Sequence, residues 1–475
     1  MPKTTRARER SRPMNPFFAI ALVLATLGSL IGIVALLNHF QHWPAELTRK
    51  AIHIGMGLVC LSFPLLFHES WPVLLLAVLA AAGLTSIRYL PALQTRVGHI
   101  LGAVTRTSWG EIYFPIAIAA VFVWHENNPL LFLIPVLQLT VSDSVGALIG
   151  LRYGIHRYTT DDGQKSAEGS LAFLLAAFLA TFIPLQLYGL FWWGNGAELF
   201  RQNPFQFQIS VAISLLLALI LTLMEAISWR GLDNLFIPLT CQVLLRKTLP
   251  LDSYILLREL FILLAIIALI AVWRRRTHLS RSAGIGAGLV LYASWLLGGW
   301  QWLLGPVATL AGYSLLCFRT QEIQTRHHLV HAVFAVAAPG LFWLYLANTM
   351  RQPEFIYPYG LAYAANFGMI CAAFFLQKST RSLLRGILYS AALAFLLHAA
   401  PYLIVWQRNS NRIDLTLAAA GLLLFAVAIF VCWQTQIRQC PADAARWCRQ
   451  GTLAAVTSLT GSLIILYFQW ILPIS

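Results

Sequence analysis

Apolar runs broken by short polar stretches repeat along the whole chain, and each run has the length of a helix rather than of a strand. In order, they predict a helix over 16–38, then ELTRKAIHIGMG (Glu46 to Gly57) leading into a span that ends at Phe67, and a span over 71–90. SWGEIYFPIAIA opens the next, and spans near 130–150, 169–192, 207–225, 235–245 and 254–273 come after it. Seven more are expected at 283–298, 300–318, 329–349, 356–377, 383–405, 415–434 and 452–471. The fold class is therefore all-α, a polytopic membrane helix bundle of about 14–16 transmembrane segments. The runs carry Gly and Pro interruptions and lack the short alternating pattern of a β-barrel.

Composition agrees with that reading. Of 475 residues, 59% are hydrophobic and 11% charged, against about 25% charged in soluble domains. Three parts are expected: a basic tail over 1–15, a membrane domain over 16–275 and a second membrane domain over 276–475. The net charge of +15 reflects basic loops facing an anionic leaflet, because no basic stretch is interleaved with stacking aromatics as nucleic-acid binding requires. No C-x-x-C occurs; Cys60, Cys241, Cys317, Cys371 and Cys432 fall in apolar runs as packing residues. His327, His328 and His331 have Glu322 as their one acidic neighbour, so an interfacial helix start is preferred to a metal site.

The polar stretch that departs most from this background runs from Asp143 to Ser170. Carboxylates at membrane depth or at its edge are costly, which makes Asp143 and Glu168 functional candidates. Gly146, Gly150 and Gly154 stand four apart and leave one helix face bare for a backbone or a ligand. Lys165, Ser166, Glu168, Gly169 and Ser170 precede a new apolar helix, where backbone N–H groups and a lysine attract phosphate. Carboxylates nearby suit a divalent metal that bridges phosphates. Further along, Glu225, Asp233 and Asn234 supply oxygen ligands of the kind Mg²⁺ takes, or form an ordinary polar turn. Arg49, Lys50 and His53 open a helix, either anchoring it at the headgroups or binding phosphate. Glu111 begins another span.

Counting spans places 46–51, 88–111, 151–168 and 226–234 on one membrane face, so these residues are expected to converge. Basic clusters at Arg274 to Arg276, at Lys378, Arg381 and Arg385, and at Arg438, Arg446 and Arg449 fall on the same face, making it cytoplasmic by the positive-inside rule. By parity the basic tail falls opposite: either the count slips by one or 16–38 does not simply cross.

Asp143, Gly150, Gly154, Lys165-Ser166 and Glu168-Gly169 together resemble the nucleotide site of the CTP-using dolichol, polyprenol and phytol kinases, and more distantly of the CDP-diacylglycerol synthases. Gly146 stands where that family usually has alanine. The R-K-x-x-H of Arg49, Lys50 and His53, the G-E-x-x-x-P from Gly110 to Pro115, and the E-x7-D-N-x3-P from Glu225 to Pro238 are similar to the lipid kinases too. The K-D, H-G-G and D-R-x-D series of the synthases is absent. In the second half, the Ser-x-Gly start and Gly298-Gly299-Trp300 within 280–316 resemble a family that includes phytyl-phosphate kinases, but the comparable region from Tyr363 lacks that family's acidic pair.

The resemblance implies an integral membrane kinase that moves the γ-phosphate of CTP or another nucleotide to an isoprenoid alcohol, with Mg²⁺ as cofactor and its active site facing the cytoplasm. Asp143, Lys165, Glu168 and Asp233 are the catalytic candidates; Asp143, Glu168, Glu225 and Asp233 the metal ligands. Gly150, Gly154, Lys165, Ser166, Gly169 and Ser170 are expected at the nucleotide. Arg49, Lys50, His53, Glu111 and Asn234 are expected at the substrate or its phosphate. A cytidylyltransferase acting on a lipid phosphate and a non-catalytic lipid transporter are the alternatives.

Overall fold

The computed structural model describes residues 14–90, 108–126, 128–160, 163–191, 206–273, 277, 279–318, 329–378, 383–405, 412–436 and 443–471. Most of the basic tail, Arg274 to Arg276, Arg381, Glu322, His327, His328, Arg438 and Cys440 lie outside the described residues. Among the described residues ten helices are long and apolar enough to cross a membrane, with shorter apolar helices at Gly110–Val123 and Leu383–His398. The protein is an all-α, multi-pass membrane protein.

It packs as two units, residues 1–258 and 259–475. In the first, α1 (Pro16–Gln41) lies along α2 (Ala45–Cys60), which continues after a short turn as α3 (Phe63–Leu66). Then come α4 (Trp71–Tyr89), α5 (Gly110–Val123) and α6 (Leu130–Leu137). A π-helical turn over Gln138–Ser142 leads straight into α7 (Asp143–Tyr153). A hairpin comes next, β1 (Arg157–Thr160) antiparallel to β2 (Gly163–Ser166), with Tyr158 opposite Lys165. The helices α8 (Ala167–Phe191), α9 (Gln206–Ile227) and α10 (Asp233–Thr248) complete the unit. At 16 residues and with Gln242, Arg246 and Lys247 within it, α10 is shorter and more polar than a typical spanning helix.

Close approach of α7 to α8 depends on glycine. A Cβ at Gly169 would come within 2.9 Å of both the Gly146 carbonyl oxygen and the Gly150 Cα, and one at Gly150 within 3.1 Å of Ser166 Oγ. The bare face read from the sequence is therefore occupied by the first turn of α8. A second closure joins 108–110 to 230–234. Trp109 N donates to the Arg230 carbonyl at 3.0 Å, and Asn234 Nδ2 donates to the Gly110 carbonyl at 2.8 Å. Gly231 sits between them at φ +82, in the left-handed region that glycine enters without steric cost. Any Cβ there would overlap the Gly110 backbone.

The second unit begins within α11 (Ser253–Trp273) rather than at the arginine run. The next helix along the chain is α12 (Arg281–Gly298). Glu259 of α11 accepts a hydrogen bond from Trp295 Nε1 at 2.8 Å, and Ile266 and Ile270 lie beside Gly288, so α11 packs against α12. The other helices are α13 (Trp300–Phe318), α14 (Val330–Met350), α15 (Ile356–Lys378), α16 (Leu383–Val405), α17 (Arg412–Gln436) and α18 (Ala444–Ile471). One core cluster joins α15 to α16, α17 and α18 through Tyr357, Leu361, Ala394, Leu423, Phe430 and Leu453. Amides complete the packing: Asn366 Nδ2 donates to the Val336 carbonyl at 3.1 Å, and Gln450 Nε2 donates to Asn366 Oδ1 at 3.2 Å. Cys60, Cys241, Cys317 and Cys371 are buried as expected, whereas Cys432 is exposed on the outer side of α17.

Replacing Gly231 by alanine combines a left-handed backbone with a steric overlap, and is expected to destabilise the first unit by about 1–3 kcal/mol. Gly83→Ala, in a helix position with open space around it, should be neutral or stabilising by up to about 1 kcal/mol. Thermal unfolding of the two variants in detergent checks both.

Candidate active site

Helix α2 supplies the first element. Its sequence puts Arg49 and His53 four apart, on one face, and Lys50 on the neighbouring face. Lys50 reaches α7, where its Nζ lies 2.5 Å from Asp143 Oδ2, both groups being buried. Such a charge is tolerated in hydrocarbon surroundings only with its partner. The π turn supports this arrangement. Asp143 N donates five residues back to the Gln138 carbonyl, which releases the Leu139 carbonyl from the helical ladder. His53 Nε2 donates to that carbonyl at 2.9 Å and lies 3.6 Å from Asp143 Oδ2. Its ring meets Phe114 edge-on at 5.0 Å. Gln138 ties the same turn to α8, donating to the Ala177 carbonyl at 2.9 Å and to Thr181 Oγ1 at 2.8 Å.

The hairpin delivers Lys165. Its Nζ lies 2.6 Å from Glu225 Oε1 and also donates to the Glu225 carbonyl, at the end of α9. Asp233 opens α10 within electrostatic reach of Asp143, Lys165 and Lys50. Burial pulls the Lys165 ammonium down, but Glu225 and Asp233 outweigh it and hold the group above the ordinary lysine value. Burial, with the neighbouring charge of Asp143, raises the Asp233 carboxyl. Arg49 pairs with Glu46 and is within reach of Asp143 and Asp233 as well. The structure thus brings Arg49, Lys50, His53, Asp143, Lys165, Glu225 and Asp233 into one charged cluster.

Glu168 stands apart from this cluster. Its carboxylate accepts from the Ile155 and His156 backbone amides at 3.1 Å and lies 2.6 Å from the His156 ring, closing the base of the hairpin. Ser166 Oγ accepts from Gly169 N at 3.1 Å as the cap of α8, and Ser170 Oγ is 2.7 Å from the Tyr158 hydroxyl. Gly150 and Gly154 face Ser166 and α8. Of the residues assigned to the nucleotide, Lys165 is the one in the cluster; the rest build the α7–hairpin–α8 junction that holds it.

Among the described residues no three His, Cys, Asp or Glu side chains are grouped as a ready-made metal site. Mg²⁺ needs less, because it is usually held by one or two carboxylates plus substrate phosphates. Glu225 Oε2 is buried without a hydrogen-bond partner, and Asp233 is within its electrostatic reach. These two carboxylates fit a divalent ion; Asp143 and Glu168 are engaged elsewhere.

Beside the cluster lies a cavity of about 250 Å³. Its polar end is formed by Arg49, His53, Glu111 and Asn234, and the remainder is apolar side chains of α1 to α5. His53 thus has one edge on the cavity and the other on Asp143. Neither this cavity nor the hairpin was legible in the sequence as such. The signal for the hairpin was there: β-branched Thr159 and Thr160 precede Asp162-Gly163, a strong turn pair.

Lys50→Met or Asp143→Asn alone leaves a buried group unpaired and is expected to cost about 3–5 kcal/mol. The double variant should recover much of that stability, read as thermal unfolding in detergent.

No family model matches the chain, and no solved structure matches it. A phytol kinase of Synechocystis sp. is 31% identical over 237 residues, which cover 49% of this chain and 92% of that protein. With the charged cluster set against an apolar cavity, and identity of that extent across nearly the whole relative, the chain belongs to the phytol kinase family.

Proposed function

We propose that the protein is an integral membrane kinase that transfers the γ-phosphate of a nucleotide, CTP by resemblance, to an isoprenoid alcohol, giving the prenyl monophosphate. One observation carries this reading: an apolar cavity ends in Arg49, His53, Glu111 and Asn234, directly beside the Lys50, Asp143, Lys165, Glu225 and Asp233 cluster. An apolar tail and a hydroxyl fit the cavity, and phosphates fit the cluster.

In the reaction the alcohol oxygen forms a bond to the γ-phosphorus. The bond from that phosphorus to its bridging oxygen breaks, and the nucleoside diphosphate leaves. Such transfers rely on positioning and charge neutralisation more than on covalent help from the protein. Lys165, anchored on Glu225, and Arg49 bind phosphate oxygens. Asn234 and His53 orient the hydroxyl at the cavity mouth. Glu111, the carboxylate that lines the mouth, takes the hydroxyl proton. Glu225 and Asp233 would hold Mg²⁺, which when bound would supply charge neutralisation to the phosphates. Lys50 and Asp143 position α2 against α7.

Incubating purified protein with radiolabelled CTP and phytol or a polyprenol tests the reading. CDP and a lipid monophosphate are expected. Pyrophosphate with a CDP-lipid would instead identify a cytidylyltransferase, and no turnover with any alcohol would favour a transporter. Lys165→Ala should lower kcat by about 10²-fold or more, and Glu111→Gln by about 10²–10⁴-fold with a smaller effect on KM. Glu168→Gln should act mainly on stability. Cysteines placed at Gln164 and Arg230, the exposed neighbours of Gly163 and Gly231, should label from the cytoplasmic side; labelling from opposite sides would separate the hairpin from α10 and exclude a shared site.

A further inference from the structure

The cavity beside the cluster has a direction. From α2 it is lined by Arg49, Ile52, His53, Met56 and Cys60, and then by Phe63 of α3, a stripe at helical spacing that runs the length of the helix. Val73, Leu76, Ala77 and Leu84 line it from α4, and Phe114 and Ile118 from α5. The polar groups are confined to the Arg49 end. The opposite end is closed: Cys60, Phe63 and Val73 are 6%, 4% and 1% exposed, and all three belong to one core cluster with Phe67 and Phe114. Phe63 and Phe67 meet edge-on with ring centroids 5.4 Å apart. Below them α1 and α4 converge, the Phe17 and Trp71 rings lying 5.5 Å apart.

The side wall differs from the floor. Leu24 of α1 and Leu79 of α4 both line the cavity, yet are 46% and 48% exposed on the outer surface. There the wall is open toward the bilayer, so a lipid alcohol can slip in sideways with its hydroxyl held at the Arg49 end.

We infer that Phe63, with Cys60 and Val73, is the floor of a blind tail pocket that sets the length of the alcohol this protein accepts. The inference rests on the lipid-alcohol reading above and adds the residues that select among such alcohols. A rise of 1.5 Å per residue puts Phe63 roughly 15 Å from His53 and roughly 20 Å from Arg49, room for about three to four isoprene units. A tail of that length is desolvated along its whole extent, and a much longer one meets the Phe63 ring and must fold back or leave part of itself outside. Farnesol and phytol fit; geraniol leaves the floor unfilled; decaprenol does not fit.

Binding of these four alcohols to the full-length protein in detergent, read as a concentration-dependent thermal shift, tests the pocket without relying on turnover. Wild-type affinity is expected to rise from geraniol through farnesol to phytol and to fall at least about tenfold for decaprenol, since each apolar group left unburied weakens binding. With geranylfarnesol added to the panel, Phe63→Ala should lower the floor by about one isoprene unit and move the optimum beyond phytol to geranylfarnesol, with decaprenol still excluded by Phe67 and the Phe17–Trp71 contact; Phe63→Leu, a milder change to the core, should move it less. Cys60→Trp should raise the floor and move the optimum to geraniol. Equal binding of phytol and decaprenol by the wild type would overturn the inference, because the tail would then leave through the Leu24 and Leu79 opening. A length profile unchanged in the folded floor variants would overturn it too. Were the length profile found but no phosphate transferred from any nucleotide, the kinase reading would fail and the tail pocket would stand.

Discussion

The ion pair between Lys50 and Asp143 joins residues 93 positions apart in the sequence and is buried at both ends. Neither charge is tolerable there alone, because the desolvation cost of each is met only by the other. The pair therefore sets the register of α2 against the π turn and α7. With Lys50 committed to Asp143, helical geometry turns Arg49 and His53 to the adjacent face, which lines the cavity. His53 completes the lock through the Leu139 carbonyl, which an ordinary α-helical turn would have kept for its own ladder. Rotation of α2 by one residue would break the pair and remove the polar end of the cavity together.

The second pair, Lys165 with Glu225, has a different character. Lys165 sits on a hairpin with 24% of its side chain exposed, against 3% for Lys50, and is paired with Glu225 while Asp233 lies within electrostatic reach. A cation with more than one anionic neighbour can pass from a protein carboxylate to a phosphate without being left bare. Glu225 keeps an unpaired oxygen and Asp233 lies close by, so negative charge is in excess on that side until cations arrive. The contrast separates the two lysines: one holds helices together, the other meets the ligand. The cluster lies beside a cavity that is apolar along most of its length, an arrangement suited to joining a water-soluble phosphate donor to an acceptor dissolved in the membrane.

Apolar periodicity announced the helices, and every span expected from it has a helical counterpart among the described residues. The cost of a charge in an apolar chain and the chemistry of phosphate and metal ligands picked out Asp143, Lys165, Glu225 and Asp233, and Lys50 came with the R-K-x-x-H pattern. The roles within that set were not legible. Glu168 looked equivalent to Asp143 from composition, yet it caps the amides of Ile155 and His156. The glycine ladder looked equally able to admit a ligand or a helix, and the first turn of α8 fills it. Sequence spacing states that room exists and cannot say what takes it.

The sequence by itself determined the membrane class, the order and approximate place of the helices and the small set of charged residues, because each follows from local periodicity or from the cost of a charge in hydrocarbon. Tertiary structure alone decided which charge pairs with which and which glycines carry helix contacts. It also decided that α1 to α5 leave an elongated cavity between them. Pairing and cavity shape depend on the rotation and tilt of α1, α2, α4 and α5 about one another. Those are set by contacts between residues far apart in the chain, such as Lys50 with Asp143 and Asn234 with Gly110, that no local pattern encodes.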